Sequence, residues 1–209
     1  LDFDHFIFDL DGTIVNSINE IYSAAIKTCK NNNLSIPTLE YFKKKIGIHP
    51  NIFFVDHGAT SNLEILVKEF REILYKEAGD PTLVFDGAKT LLDLLYKKNK
   101  QISIATTKPT NLAKTLIKRY GVSKYFSFIQ GTEEGINPKP APDMIFKCLS
   151  INNKYSAVMI GDTISDIEAA KAAGIESIGV TTGACNKDDL SKSHAIMVVD
   201  SLVELIKYL

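Results

Sequence analysis

The sequence predicts an α/β fold: a doubly wound parallel sheet with an α-helical domain inserted after its first strand. Three observations carry this. Short apolar runs ending in polar residues or glycine recur along the chain, and amphipathic stretches separate the later ones. Residues 17–80 break the alternation, with helical periodicity and no strand-like run.

The first strand is "HFIFD" (5–9), an uninterrupted apolar run of the kind a strand buried on both faces requires. Two helical stretches follow, "INEIYSAAIKTCKNNN" (18–33) and "NLEILVKEFREILYKEA" (62–78), with apolar residues three and four apart. The charge run "KKK" (43–45) reads as a solvated helix face. The chain returns to the sheet domain near "PTLVFDG" (81–87). The expected division is therefore 1–15 with 83–209 for the α/β core and 16–82 for the helical domain.

Five more strands follow: "ISIAT" (102–106), "FSFIQG" (126–131), "AVMIGD" (157–162), "SIGVTTG" (177–183) and "AIMVVD" (195–200). Helical stretches at 86–99, 110–120, 141–150, 165–173 and 201–208 lie among them, which is the spacing of strand–helix–strand crossovers.

Bulk properties narrow the function. The chain has 209 residues, 45% of them hydrophobic, and a formal net charge of −1, so it lacks the global basic field of a nucleic-acid binder. No apolar run reaches the length of a membrane span, and no basic stretch leads into an apolar signal region. Cys29, Cys148 and Cys185 are odd in number and widely spaced, which disfavours a disulfide framework and points to a reducing, cytoplasmic setting. The expected partner is a small molecule, with neither nucleic acid nor membrane, and the expected assembly a monomer or homodimer.

Ligands of open parallel sheets bind beyond the carboxyl ends of the strands. Four polar clusters sit there. Asp9 and Asp11 close the first strand, and residues two apart on a strand face the same side; Gly12 then lets the backbone turn. Thr106, Thr107 and Lys108 close the second, before Pro109, a residue suited to a first helical turn. Lys139 is held between prolines in "NPKPAPD" (137–143), and "GDTISD" (161–166) supplies Asp162 and Asp166. Singly these are turn and cap residues; Asp166 in particular starts a helix in a capping box expected from Ser165 and Glu168. Together, in this order and all at strand ends, they describe one site.

Gathered carboxylates need a cation, because two unit charges about 4 Å apart repel by roughly 4 kcal/mol even at an effective dielectric of 20. Oxygen-only ligands select a hard ion, and Mg2+ is the expected cofactor. Asp9, Asp162 and a backbone carbonyl, that of Asp11, are its expected ligands, with Asp166 outside them or acting through water.

"FDLDGT" (8–13), the threonine ending "ISIAT", "KPAPD" (139–143) and "GDTISD" together resemble the four motifs of the haloacid dehalogenase superfamily in its phosphatase branch, over residues 6 to about 183. The resemblance implies that Asp9 is the nucleophile and Asp11 the general acid and base. It makes Thr106 and Lys139 phosphate ligands beside the Gly12 and Thr107 backbone, with Lys139 also steadying Asp9. Asp9, Asp11, Asp162 and Asp166 form the magnesium site, and residues 16–82 a helical cap. A loop of that cap, "KKIGIHPN" (44–51), would reach the substrate through Gly47, His49 or Asn51. The layout is most similar to the phosphoglycolate phosphatase group, which has pyrophosphatase-like members, and departs from it at Asn16 and at "IGIHP" (46–50).

A phosphatase acting on a small phosphomonoester is thus the expected function, with a phosphomutase of the β-phosphoglucomutase type or an inorganic pyrophosphatase as the near alternatives. A receiver-like signalling module built on Asp56 of "FFVDHG" (53–58) is the remote one. It would leave "GDTISD" unused.

Overall fold

The computed structural model describes residues 1–43, 45, 50–150 and 156–209. Its residues fall into two compact units, Leu1–Asn16 with Asp80–Leu209, and Ser17–Gly79.

In the first unit β1 (His5–Phe8), β2 (Gln101–Pro109), β3 (Phe128–Thr132), β4 (Ala157–Gly161), β5 (Glu176–Val180) and β6 (Met197–Val199) form one sheet, in the order β3-β2-β1-β4-β5-β6. Every pairing is parallel. The chain winds outward from β1 to β3, then returns to the other side of β1 with β4. That reversal opens a crevice at the carboxyl ends of β1 and β4.

Both sheet faces are covered, which explains the continuous apolar strands. Ile7, Ala105 and Met159 pack with Met144, Ile145 and Cys148 of α7 (Asp143–Leu149) and with Ala169 and Ala170 of α8 (Ile164–Ala173). Phe6, Phe8, Ile102 and Ile104 alternate to the opposite face and are equally buried. The unit also carries α5 (Ala88–Lys97), α6 (Thr110–Arg119), α9 (Lys187–Ser191) and α10 (Leu202–Ile206). Leu91, Leu92 and Leu95 make the buried stripe of α5.

One boundary that bears on the site differs from the sequence reading. β2 does not stop at Thr106 but runs to Pro109, because it pairs again with β3 at Pro109↔Thr132 after an irregular stretch beginning at Ala105. Pro109 is then the N-cap of α6, just outside the first turn that the sequence suggests. Burial holds the His5 imidazole neutral, its pKa pushed down to about 4. Its Nε2 lies 2.8 Å from the Ser103 hydroxyl.

The second unit consists of α1 (Ile18–Asn31), α2 (Leu39–Lys43), α3 (Pro50–Asp56) and α4 (Leu63–Glu77). Its core is aromatic: Phe53 meets Phe42 and Phe54 edge-on, and Phe54 meets Phe70. The lysine run is only partly a solvated face. Lys43 is exposed, Lys44 lies outside the described residues, and Lys45 pairs with Asp56 at 2.9 Å. Asp56 ends a helix rather than a strand and also accepts a bond from the Tyr41 hydroxyl at 2.8 Å, so it does not stand where a receiver module needs its aspartate. Among the described residues, no helix is long and apolar enough to cross a membrane.

Candidate active site

Register alone brings three clusters together. Phe8 lies level with Ile104 on β2 and Ile160 on β4, so Asp9, Thr106 and Asp162 emerge side by side at the carboxyl ends of three neighbouring strands. Asp9, Thr106, Asp162 and Asp166 are all buried.

Lys139 joins them from the segment between β3 and α7. Its ammonium donates to Asp9 Oδ1 at 2.7 Å, Asp166 Oδ1 at 2.5 Å and the Ala105 carbonyl at 2.9 Å. An ammonium has three donors, so this buried lysine is fully satisfied by the protein. Two carboxylates that would repel are thereby tied through one cation.

Asp162 is held by its surroundings. Thr13 donates its hydroxyl to Oδ1 at 3.0 Å, and the Ala184 backbone N–H donates to Oδ2 at 2.8 Å. The wall around it is glycine by necessity. A Cβ at Gly12 would stand 2.4 Å from Asp162 Oδ2, and one at Gly183 only 1.9 Å away. Gly12 also has φ +83, the left-handed turn expected after Asp11.

The capping box is real but lies on other residues. Because α8 begins at Ile164, Thr163 is its N-cap: its hydroxyl accepts from the Asp166 backbone N–H, and the Asp166 carboxylate accepts from the Thr163 N–H. Ser165 is already inside the helix, and Glu168 points to solvent. Asp166 thus joins a helix cap to the site's lysine.

Asp11 behaves differently from its neighbour. β1 ends at Phe8, and the two carboxylates of the motif go to different cations: Asp11 Oδ2 accepts from Lys108 Nζ at 2.5 Å. Thr106 offers its hydroxyl oxygen to the Lys108 backbone N–H at 3.3 Å, and the Thr107 carbonyl accepts from the Thr132 hydroxyl at 3.4 Å. Of the proposed substrate-loop residues, Asn51 lies in the first turn of α3 in the helical unit, whereas Gly47 and His49 lie outside the described residues. The sequence places Lys108 in the second cluster without a task of its own, and gives no sign of Thr13, Thr163 or the Ala184 N–H. All act across turns or long separations that leave no periodic signal.

Asp9, Asp162 and Asp166 each offer an oxygen within 4.8 Å of the others, a hard-donor group suited to a divalent cation. Asp11 enters that group by no carboxylate oxygen. A model of the "Haloacid dehalogenase-like hydrolase" family matches residues 6–180, which take in all of these residues. The chain belongs to this family. It is 31% identical over 210 residues to the "Probable phosphatase IndB" of Dickeya dadantii, covering 96% of this chain and 90% of that one. It is 24% identical to a phosphoglycolate phosphatase of Pseudomonas fluorescens, covering 96% and 77%. A haloacid dehalogenase-like hydrolase from Streptococcus pneumoniae has the same fold, with a TM-score of 0.87 at 24% identity, covering 98% of this chain and 97% of that one.

Burial in this haloacid dehalogenase-like hydrolase opposes the ionisation of Asp9 and Asp162 but does not discharge Lys139. Burial pushes the Asp9 carboxyl up to about 7; the Lys139 charge works against this, and the Asp166 and Asp11 carboxylates reinforce it. Burial, then the charges of Asp9 and Asp166, also raise Asp162 well above the carboxylate range. Burial opposes the charge on Lys139, yet Asp166 and Asp9 outweigh it and hold the ammonium above its ordinary value. Burial thus favours the protonated form of two of the acids in this hydrolase.

Proposed function

We propose that this hydrolase is a Mg2+-dependent phosphatase that cleaves a small phosphomonoester, phosphoglycolate foremost, through an aspartyl phosphate on Asp9. The observation that carries the reading is the placement of Asp9: buried at the end of the central strand, bonded to Lys139 and grouped with Asp162 and Asp166. Homologues named phosphatase and phosphoglycolate phosphatase support it.

The donor set fits Mg2+, because it is all oxygen, buried and in excess of negative charge. Asp9 and Asp162 would hold the ion with the Asp11 carbonyl, and Asp166 would support it. When bound, Mg2+ neutralises these acids and polarises the phosphoryl oxygens. The chain's own residues do the rest. An ionised Asp9 oxygen bonds to phosphorus as the ester P–O bond breaks, and Asp11 gives the departing oxygen a proton. Asp11 then takes a proton from water, whose oxygen attacks phosphorus and frees Asp9 and inorganic phosphate. The Thr106 hydroxyl and the backbone at Gly12 and Thr107 cradle the phosphoryl oxygens. Lys139 holds Asp9 in line, and turns to the phosphate by giving up its bond to Ala105.

The helical region, expected at 16–82 and compact over Ser17–Gly79, is assigned as the cap that excludes water, with Gly47, His49 and, at the start of α3, Asn51 as its substrate-selecting residues. The deciding experiment is a phosphate-release screen with Mg2+ over phosphoglycolate, pyrophosphate, sugar phosphates and nucleoside monophosphates. Steady turnover of a monoester is expected. Conversion of glucose 1-phosphate to an isomer without phosphate release identifies a mutase instead.

The raised carboxylates also predict how the metal stabilises the fold. The folded Asp9 holds its proton up to about pH 7 and the unfolded one only to 3.8. Without metal, this group's stabilising contribution is therefore present below 3.8 and lost as pH rises towards 7. Mg2+ competes with that proton, so the melting-temperature difference between Mg2+ and EDTA samples is expected near zero at acid pH. It should reach about 5–10 °C in alkaline buffer at a metal concentration about 100 times Kd. The difference cancels the His5 contribution, which is common to both samples. A difference independent of pH places the metal elsewhere.

A further inference from the structure

The site contains a second lysine that the mechanism has not used. Lys108 Nζ lies 2.5 Å from Asp11 Oδ2, and the two side chains are 9% and 14% exposed. The backbone is shaped to put it there. From Ala105↔Gln130 to Pro109↔Thr132, β2 advances four residues while β3 advances two, so the intervening chain bulges out of the ladder. The bulge is pinned on every side: Lys108 N–H to Thr106, the Thr107 carbonyl to Thr132, and the Gly131 N–H to the Thr110 hydroxyl at 3.0 Å. Gly131 must be glycine for this, since a Cβ there would fall 2.2 Å from the Lys108 carbonyl.

We propose that Lys108 is the positioning residue for Asp11. Its ammonium fixes Oδ2 and with it the plane in which the Asp11 carboxyl meets the leaving oxygen. Lys139 serves Asp9 and Asp166 and leaves Asp11 to this separate cation. The two acids of one motif, with opposite tasks, are thereby oriented independently. The inference rests on the reading of Asp11 as general acid and base.

The test compares two esters. Phenolate is a strong base and leaves with a proton from Asp11, whereas p-nitrophenolate is a weak base and leaves without one. In Lys108→Met, kcat/KM with phenyl phosphate should fall about 100-fold and with p-nitrophenyl phosphate less than about 10-fold. Lys108→Arg keeps a cation and should recover phenyl phosphate activity to within about 10-fold of wild type. Lys108→Met/Asp11→Asn should be no slower than Asp11→Asn alone, because Lys108 acts through Asp11. If Lys108→Met fails to fold by circular dichroism, Lys108→Gln carries the same comparison. Equal losses on the two esters, or additive losses in the double variant, overturn the proposal. If Asp11→Asn itself spares phenyl phosphate, the acid–base reading fails first; if Asp11→Asn is slow and Lys108→Met is not, only the positioning role fails.

Discussion

Asp9→Asn should end phosphate release while leaving the protein folded and no less stable. Asparagine has the shape of aspartate but no anionic oxygen to form a bond to phosphorus, so the loss should be about 10⁴-fold or more, the scale of removing a covalent nucleophile. The stability expectation follows from the electrostatics. Asp9 in the metal-free protein resists ionisation because it is buried among like charges, and a neutral amide removes that resistance. Lys139 loses little, since the amide oxygen still accepts its bond and Asp166 and the Ala105 carbonyl remain. Without metal at pH 8, the variant should therefore melt at or above the wild-type temperature. Phosphate release and thermal unfolding on the same sample check both halves. Activity within about 10-fold of wild type removes Asp9 as nucleophile, and a large drop in melting temperature means that its charge holds the fold together.

Much of this arrangement was legible in the sequence, for identifiable reasons. β1 and β4 are buried on both faces and appear as unbroken apolar runs; α1, α4 and α5 bury one stripe each and appear as three-and-four spacing. Three of the motifs follow strand ends, where the reversal at β1 makes a crevice, whereas Lys139 reaches them from the segment between β3 and α7 and not from a strand end. What the sequence hid depends on contacts between distant positions. Thr13 reaches Asp162 across 149 residues and Lys108 reaches Asp11 across 97, both after turns whose direction no pattern specifies. The sequence points the capping box to the wrong pair because Ser165 and Glu168 also fit its spacing. Only the helix start at Ile164 decides for Thr163 and Asp166. The two-residue offset in β2 was equally hidden, since a bulge shifts register without changing the apolar run before it.

Lys139→Met should cost both stability and activity, and the pattern of the losses tests why a lysine stands there. Methionine fills much the same volume but leaves the Asp9 and Asp166 carboxylates facing each other, and the Ala105 carbonyl without its donor. Removing one partner of a buried ion pair typically costs about 3–5 kcal/mol, because the remaining charge is uncompensated. For a domain of this size that is roughly 6–20 °C in melting temperature. The charge of Lys139 is the main influence holding the Asp9 pKa down, so without it Asp9 should keep its proton to higher pH. Activity near neutrality should fall by about 10³-fold and recover in part as the pH is raised, which a merely misfolded variant would not do. Lys139→Arg should rescue poorly, since a planar guanidinium cannot aim three donors at acceptors grouped around one point. Lys139→Met/Asp166→Asn discriminates further. Neutralising the second carboxylate removes the repulsion, so the double variant should regain stability relative to Lys139→Met but not activity. Denaturant unfolding of wild type, Lys139→Met, Asp166→Asn and the double variant gives the coupling energy directly. A coupling near zero means that the ammonium does not compensate these acids, and the charge balance proposed for the site would have to be drawn from other groups.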